Sequence, residues 1–342
     1  MAYTTINKST DYFNTKLHSG TNSTTTITGV GFQPDMTWWK SRNNAVNHAL
    51  YDAVRGGSKL LRPNQTNAEE NNAAVSAFTS DGVTLTGGDS FTNASGYTYA
   101  SWNWKAGGGQ GSSNTDGSIN TTYTSVNTTA GFSICKWTGT GANGTIGHGL
   151  GAVPTVIFVK NLGTTENWVT YHKPLGATKY LKLNDNSAAG TSSDVWNNTD
   201  PTSSVFYVGS NTATNQSGNQ MIAYCFTDKI GYSKFDTYEG NGETSGQFVY
   251  TGFKPSFVMI KNIDNSGNWW MMDNKRNGYN VTGQRLMANS NSAENSYSDV
   301  VDLLSNGFKL RGTYGDINDY SLIYMAFGQS IVGSNNVPCT AR

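Results

Sequence analysis

Hydrophobic positions along the chain fall into short runs separated by stretches of Gly, Asn, Ser and Thr. In the run "TVIFVK", Val156 and Phe158 lie on one face of an extended strand, and Ile157 and Val159 lie on the other. A short run that is apolar on both faces predicts a central strand covered on both sides. Residues 221–226, "MIAYCF", repeat this pattern with large residues on one face and small residues on the other.

One stretch also fits a helix when it is read alone. "HALYDAVRGGSKLL", residues 48–61, has apolar residues at roughly helical intervals. Two similar stretches elsewhere argue against a helix, because "WVTYHKPLGATKYL" contains a Pro and "WWMMDNKRNGYNVTGQRL" has Gly and Asn in its middle. We therefore predict strand, turn and strand in all three, and an all-β protein.

The similarity of these stretches belongs to a longer internal repeat. "GFQPDMTWWK", "GLGAVPTVIFVK" and "GFKPSFVMIK" each place a Pro six positions before a Lys, and the alignment continues eight positions beyond the Lys and on to an Asn four positions before an Ala. The aligned residues are Lys40, Lys160 and Lys261, then His48, Trp168 and Trp269, then Asn64, Asn184 and Asn289. The spacings predict three tandem β-sandwich-like repeats of about 100 residues, each with about seven to ten short strands.

These repeats set the predicted domain boundaries. The first β repeat spans residues 1–106, the second 130–229 and the third 230–329. Residues 107–129 are rich in Gly, Ser and Thr, which is typical of a linker, and residues 330–342 form a C-terminal tail. Compact and extended arrangements of the repeats are both compatible with the sequence.

Composition and charge exclude several classes of function. Charged residues are 13% of the chain, with 23 basic and 23 acidic side chains, so we expect no binding to nucleic acid. We find no hydrophobic segment long enough for membrane insertion and no apolar core of a signal peptide. Cys135, Cys225 and Cys339 lack C-x-x-C spacing, so we predict free thiols made in a reducing cytoplasm and no metal site.

The chain is also poor in groups that could carry catalysis. Its 4 histidines lie at different repeat positions, and no H-E-x-x-H, G-x-S-x-G or P-loop pattern is present. Asp52 and Asp273 occupy equivalent positions, but the second repeat has His172 there. Arg55 and Arg276 each follow by three, so a local ion pair at a turn, contact with a ligand and catalysis are the alternatives, the first being favoured. We therefore expect a non-enzymatic protein without a cofactor.

A set of aromatic, acidic and basic side chains near the repeat turns remains as candidate ligand-binding residues. Trp168 and Trp269 share a position with His48, and we expect a place that accepts imidazole not to be deeply apolar. Trp270 corresponds to Ala49 and Val169 and points to the opposite face of the strand, so one of the Trp269 and Trp270 rings is a better candidate for the surface than the other. The Lys that ends each central strand either reaches the sheet rim over apolar surface or binds an acidic sugar or a partner's carboxylate. The candidates are His48, Asp52, Arg55, Trp168, His172, Trp269, Trp270, Asp273 and Arg276.

Several sequence blocks resemble a family of tandem-repeat proteins of unknown function from marine bacteriophages, which includes virion structural and tail-fibre-like proteins. The blocks are "GF-x-P", "VKN", "AYCF" and "GYSKF-x-x-Y-x-GNG", seen here in "AYCFTDKIGYSKFDTYEGNG" and "VYTGFKPSFVMIKN". The resemblance covers nearly the whole chain apart from the linker and the last dozen residues. It supplies no established catalytic residues, and it implies a virion protein made in the bacterial cytoplasm.

The residues and the resemblance together lead to one functional expectation. We expect a virion surface structural protein, a tail-fibre or receptor-binding component that contacts host-surface glycans or a surface protein through rim loops. Its partners are then other virion proteins and further copies of itself, a trimer being one arrangement. The alternatives are capsid decoration and a minor neck or tail protein, while a glycan depolymerase is disfavoured because matched acidic pairs are absent.

Overall fold

The fold consists almost entirely of antiparallel strands. The computed structural model describes residues 4–332, so most of the predicted C-terminal tail, including Cys339, lies outside the described residues. The first nine strands are β1 Phe13–Ser19, β2 Thr25–Ile27, β3 Met36–Ser41, β4 Ala49–Asp52, β5 Lys59–Leu60, β6 Glu70–Asn71, β7 Val75–Thr79, β8 Gly82–Leu85 and β9 Thr98–Trp104. The next nine are β10 Thr121–Asn127, β11 Phe132–Thr138, β12 Gly144–Gly147, β13 Val156–Asn161, β14 Val169–His172, β15 Lys179–Lys182, β16 Gly190–Thr191, β17 Val205–Val208 and β18 Gln220–Phe226.

The rest of the chain adds eight strands and a few single turns of helix. The strands are β19 Ser233–Glu239, β20 Phe248–Tyr250, β21 Lys254–Asn262, β22 Trp270–Asp273, β23 Thr282–Met287, β24 Asn295–Leu304, β25 Gly307–Leu310 and β26 Ser321–Gln329. The helices are α1 Ser193–Trp196, α2 Thr212–Asn215 and α3 Gly315–Asn318, with 3₁₀ turns at Ser9–Asp11 and Lys173–Leu175. The all-β prediction is confirmed, and the stretch after His48 is strand, turn and strand as predicted.

The same strand order occurs three times. Four neighbouring strands run in the order β1-β9-β3-β4, then β11-β18-β13-β14, then β19-β26-β21-β22. In each set the strand that carries the aligned Lys as its next-to-last residue is central. It pairs on one side with the last strand of the unit and on the other side with the next strand along the chain. We use first, second and third unit for residues 1–106, 130–229 and 230–329.

The two faces of each central sheet are buried in different cores. One face of every sheet contributes to a single central cluster; in the second unit these residues include Val156, Phe158 and Tyr224. The opposite face packs under a second layer of shorter strands, where Ile157 and Cys225 belong to a separate cluster. The predicted double coverage of this strand is therefore confirmed, and its alternation assigns one side to the protein centre and the other to a local sandwich.

Aromatic contacts join the units at the centre. Phe13 of the first unit lies 5.7 Å from Phe257 and 5.0 Å from Phe327 of the third, between ring centroids. Phe226 of the second unit lies 5.9 Å from Phe327. The central cluster leaves a void of only about 20 Å³, so the three units pack compactly around it.

The segment expected to be a linker has structure of its own. Its second half contains β10, which pairs with β11 at the edge of the second unit's sheet. Its start is held by the Asp35 carboxylate, which accepts hydrogen bonds from the backbone N–H groups of residues 106, 108 and 109. Composition alone suggested flexibility, but backbone pairing and this buried carboxylate fix the segment.

Candidate functional site

All nine residues proposed from the sequence as ligand contacts are buried. The most accessible of them, Arg55, exposes 8% of its surface, so none of the nine presents its side chain to solvent at a turn. Trp270 packs inside the third unit, and the other eight lie in or beside the three contacts between units. We name these seam 1 (first with second unit), seam 2 (second with third) and seam 3 (third with first).

The aligned aromatic position donates a hydrogen bond across each seam. Trp168 donates its indole N–H to the Arg62 carbonyl at 3.0 Å across seam 1, and Trp269 donates to the Lys182 carbonyl at 2.9 Å across seam 2. Across seam 3, His48 Nε2 lies 3.0 Å from the Met287 carbonyl. The three bonds run in the same sense around the molecule, so the units form a closed ring.

The imidazole at this position works as a substitute for indole. His48 Nδ1 accepts the indole N–H of Trp38 at 2.8 Å, so Nε2 carries the proton and donates to the carbonyls of Met287 and Ser290. We had expected a place that accepts imidazole not to be deeply apolar. Both ring nitrogens are bonded, however, which allows complete burial, and this burial lowers the pKa of His48 to about 3.

Backbone hydrogen bonds repeat the same closure. The N–H of Glu69 donates to the Leu162 carbonyl across seam 1, and the N–H of Ala189 donates to the Ile263 carbonyl across seam 2. Across seam 3, the N–H of residue 294 donates to the carbonyl of residue 42. Each donor follows the aligned Ala by one and each acceptor follows the aligned Lys by two, so the spacing found in the sequence sets the register of the seams.

The aligned lysines are buried within these seams and do not reach the rim. Lys160 Nζ donates to the carbonyls of Thr66, across seam 1, and Glu166, at 3.1 and 2.7 Å. Lys261 makes the equivalent bond to the Asn186 carbonyl across seam 2. Lys40 donates to carbonyls of its own unit. Because burial disfavours the charged form, the pKa of each lysine falls to about 8.

This lowered pKa predicts that the protein becomes more stable as the pH rises from 7 to 9.5. The unfolded chain, with a lysine pKa of 10.5, binds more protons than the folded protein over this range, so the free energy of unfolding increases. Lys160→Met should reduce that increase by about 2 kcal/mol. Urea unfolding of both proteins at the two pH values measures it, and identical pH dependence in both contradicts the assignment.

Two seams contain a buried cluster of an acid, an arginine and a second acid. In seam 1, Arg55 Nε lies 2.5 Å from Asp52 and its Nη1 lies 3.2 Å from Glu69. The Tyr224 hydroxyl of the second unit donates to Asp52 at 2.6 Å. The predicted local ion pair is present, but it is buried and linked to the neighbouring unit rather than exposed at a turn.

Seam 3 has the equivalent arrangement. Arg276 lies 2.6 Å from Asp273 and 3.0 Å from Glu294, and the indole N–H of Trp102 in the first unit donates to Asp273 at 3.1 Å. Glu294 also pairs with Arg42 of the first unit at 2.8 Å. Burial acts to raise the pKa of the Asp273 carboxyl, but the Arg276 guanidinium and the backbone N–H groups of Arg276 and Lys275 keep this pKa below its usual value.

Seam 2 replaces this cluster by apolar contact. His172, Leu175 and Ala189 stand at the positions of the acid, the arginine and the second acid, and Leu175 and Ala189 pack against the central cluster. The strand residue that corresponds to Tyr224 is Met325, whose side chain has no N–H or O–H group to donate. The Nε2 atom of His172 lies 3.4 Å from the Tyr324 carbonyl oxygen. Burial lowers the pKa of His172 to about 4.

One of Trp269 and Trp270 was expected at the surface, but both are buried. The Trp270 ring is 2% exposed because the second layer of the third unit covers that face of the sheet, and its indole N–H donates to Asp316 at 2.9 Å. The Arg285 guanidinium lies 3.8 Å from the Trp270 ring centroid and 4.5 Å from that of Tyr297. This stack is a structural clamp specific to the third unit.

Sequence reasoning missed the partners that complete the clusters. Glu69 and Glu294 each follow an aligned Ala by one position, and the second unit has Ala189 there, so this covariation with Arg55 and Arg276 was available in the repeat alignment. Trp102 and Tyr224 gave no such signal, because their role depends on which units are neighbours. The clusters join unit to unit, and Asp52, Arg55, Asp273 and Arg276 within them are buried.

Metal-ligating groups, thiols and long apolar helices are the remaining features of residues 4–332 that bear on function. No group of three or more His, Cys, Asp or Glu side chains in this range is arranged to hold a metal ion. Cys135 and Cys225 are buried free thiols, and burial raises the pKa of Cys225. Within the same range, no helix is long and apolar enough to cross a membrane.

The comparisons with known proteins give a family without an assigned activity. A search of curated proteins finds none that matches this chain. The sequence profile of a domain of unknown function, DUF7483, matches residues 8–330, a span that includes all three seams and every strand described above. The chain therefore belongs to the DUF7483 family.

Proposed function

We propose that this protein is a non-enzymatic structural component of a bacteriophage virion surface, a tail-fibre or receptor-binding protein that contacts host-surface glycans. The observation that carries the proposal is the closed ring of three seams, in which the buried charged and aromatic side chains hold unit to unit. Such a ring supports a rigid platform whose outward loops are available for contact with other molecules. The virion setting itself comes from the sequence resemblance.

A second candidate, capsid decoration, is favoured by the same geometry in a different way. Three units with equivalent seams present three similar surfaces around one axis. A surface of that kind matches positions of threefold symmetry in a capsid lattice, where one molecule contacts three equivalent neighbours.

Antibody labelling of intact particles tests both candidates. We expect label at the distal tail, together with competition by the purified protein for adsorption of the phage to host cells. Label over the capsid lattice overturns the attachment role and supports decoration. Particles without label contradict both, and release of reducing sugar from host polysaccharide by the purified protein contradicts the non-enzymatic assignment.

A further inference from the structure

One connection of the third unit is longer than the corresponding connections of the other two units. Sixteen positions separate Asp273 from Asn289, whereas twelve separate Asp52 from Asn64 and His172 from Asn184, so this connection is longer by four residues. The longer connection includes residues 277–280, which are partly or fully exposed. An extra surface segment in one unit of a repeated scaffold is a candidate for a function specific to that unit.

The longer loop forms one wall of an open cleft of about 860 Å³. This volume lies within the range of small-ligand sites. Asn274 and Asn277 contribute amides to it, whereas the Asn280 amide is bonded to the Leu303 backbone. Tyr279, which is 89% exposed, also lines the cleft. Amides and an exposed aromatic ring are the groups that hydrogen-bond sugar hydroxyls and stack on sugar rings.

Among the described residues that line the cleft, the charged side chains are all basic. Its lining includes Lys254 and Lys275, and none of the described residues that line it is Asp or Glu. An adjoining hollow of about 270 Å³ shares Lys275 and adds Lys16, again without an acidic residue in its lining. Lys275 is exposed and belongs to the lining of both hollows, so its ammonium group favours an anionic ligand at the point where they meet.

We propose that the cleft and the adjoining hollow bind an acidic oligosaccharide, with Lys275 between them pairing with a carboxylate or sulfate group and Tyr279 stacking on a sugar ring. This inference rests on the proposed glycan-contacting function and names its site and its ligand class. Lys275 is the residue to test, because Lys16 has the Asp81 carboxylate as a charged neighbour.

Titration calorimetry of the purified protein tests the site with three probes: a galacturonic acid hexamer, a sulfated galactose hexamer and a neutral galactose hexamer. We expect binding of at least one acidic hexamer and none of the neutral one, with affinity falling as NaCl is added. Lys275→Ala should weaken binding roughly tenfold and Tyr279→Ala roughly fivefold. Which acidic hexamer binds distinguishes a carboxylated from a sulfated glycan.

Lys179→Ala is the matched control, because Lys179 is an exposed lysine of the second unit, and it should bind like the wild type. Both lysine variants should keep the wild-type unfolding temperature. Failure of both acidic hexamers to bind overturns the inference, as does equal binding of the neutral hexamer, unchanged binding by Lys275→Ala or tighter binding of a single-stranded DNA oligomer. Particle labelling is independent of these results, so the site can fail while the virion role stands.

Discussion

Replacing Arg55 with leucine should lower the free energy of unfolding by about 3–5 kcal/mol. The guanidinium is the cation of a buried cluster and pairs with Asp52 at 2.5 Å and Glu69 at 3.2 Å. Its removal leaves Asp52, which is inaccessible to solvent, with the Tyr224 hydroxyl as its side-chain partner. An uncompensated buried carboxylate is far less favourable than a smaller apolar contact.

Replacing the whole cluster with the corresponding residues of seam 2 should restore the stability that Arg55→Leu loses. Seam 2 has an apolar arrangement at the same positions, so transferring all four residues removes the acids together with the arginine. We expect the combined variant to regain most of the lost stability, because replacing a whole buried ion cluster by apolar residues is often close to neutral. The substitutions are Asp52→His, Arg55→Leu, Glu69→Ala and Tyr224→Met.

Urea unfolding followed by tryptophan fluorescence compares the wild type, the single variant and the fourfold variant. The seam assignment is wrong if Arg55→Leu has nearly wild-type stability. It is also wrong if the fourfold variant is less stable than the single one, since that result means the two seams are not equivalent positions of one scaffold.

Acidification from pH 7 to pH 4.5 should destabilise the protein by about 6 kcal/mol. Three histidines are buried in the neutral form, and burial lowers the pKa of His48 to about 3 and those of His148 and His172 to about 4. In the unfolded chain each has the ordinary value of 6.5. Between these values the unfolded chain binds more protons, so stability falls with the pH, by about 8 kcal/mol for the three together.

Two carboxyls act in the opposite direction. Burial raises the pKa of Asp228 to about 6, so the folded protein binds the additional proton there and gains about 2 kcal/mol by pH 4.5. Burial likewise raises the pKa of Asp35, which acts in the same stabilising direction. Burial lowers the pKa of His18, which adds to the destabilisation. The histidines dominate because three of them have strongly lowered values.

His172→Met isolates one histidine from this sum. His172 makes a single long contact, and its Nδ1 has no partner, so methionine should fit the seam with little loss at pH 7. The variant should lose about 2.5 kcal/mol less than the wild type between pH 7 and pH 4.5. Equal losses in the two proteins contradict the role of His172, and an unchanged urea midpoint in the wild type contradicts the histidine account as a whole.

The sequence predicted local structure well because that structure depends on neighbouring positions. The alternation at Val156–Val159 identified a doubly covered strand, and Pro and Gly in two stretches showed that the third, after His48, was not a helix. The spacing of three residues from Asp52 to Arg55 identified an ion pair that exists. Each of these inferences needed only a few consecutive residues and the geometry of a strand or a turn.

Accessibility could not be read from the same patterns. One of Trp269 and Trp270 was expected at the surface because the two rings point to opposite faces of a strand, but here both faces are covered. Nor could a single unit show that Lys160 ends at a carbonyl of the first unit. These features depend on how separate units meet, and the repeat alignment describes positions within a unit without saying which unit is its neighbour.

Ring closure has a consequence for how the protein is made. Several groups of the first unit find their partners in the last hundred residues of the described chain, among them Arg42, His48 and Trp102. These residues emerge from the ribosome long before Asp273 and Glu294 are synthesised. The apolar central face of the first unit stays exposed to solvent during that interval. The central face of the first unit is therefore buried late in biosynthesis. The growing chain is prone to aggregation until its final third emerges from the ribosome.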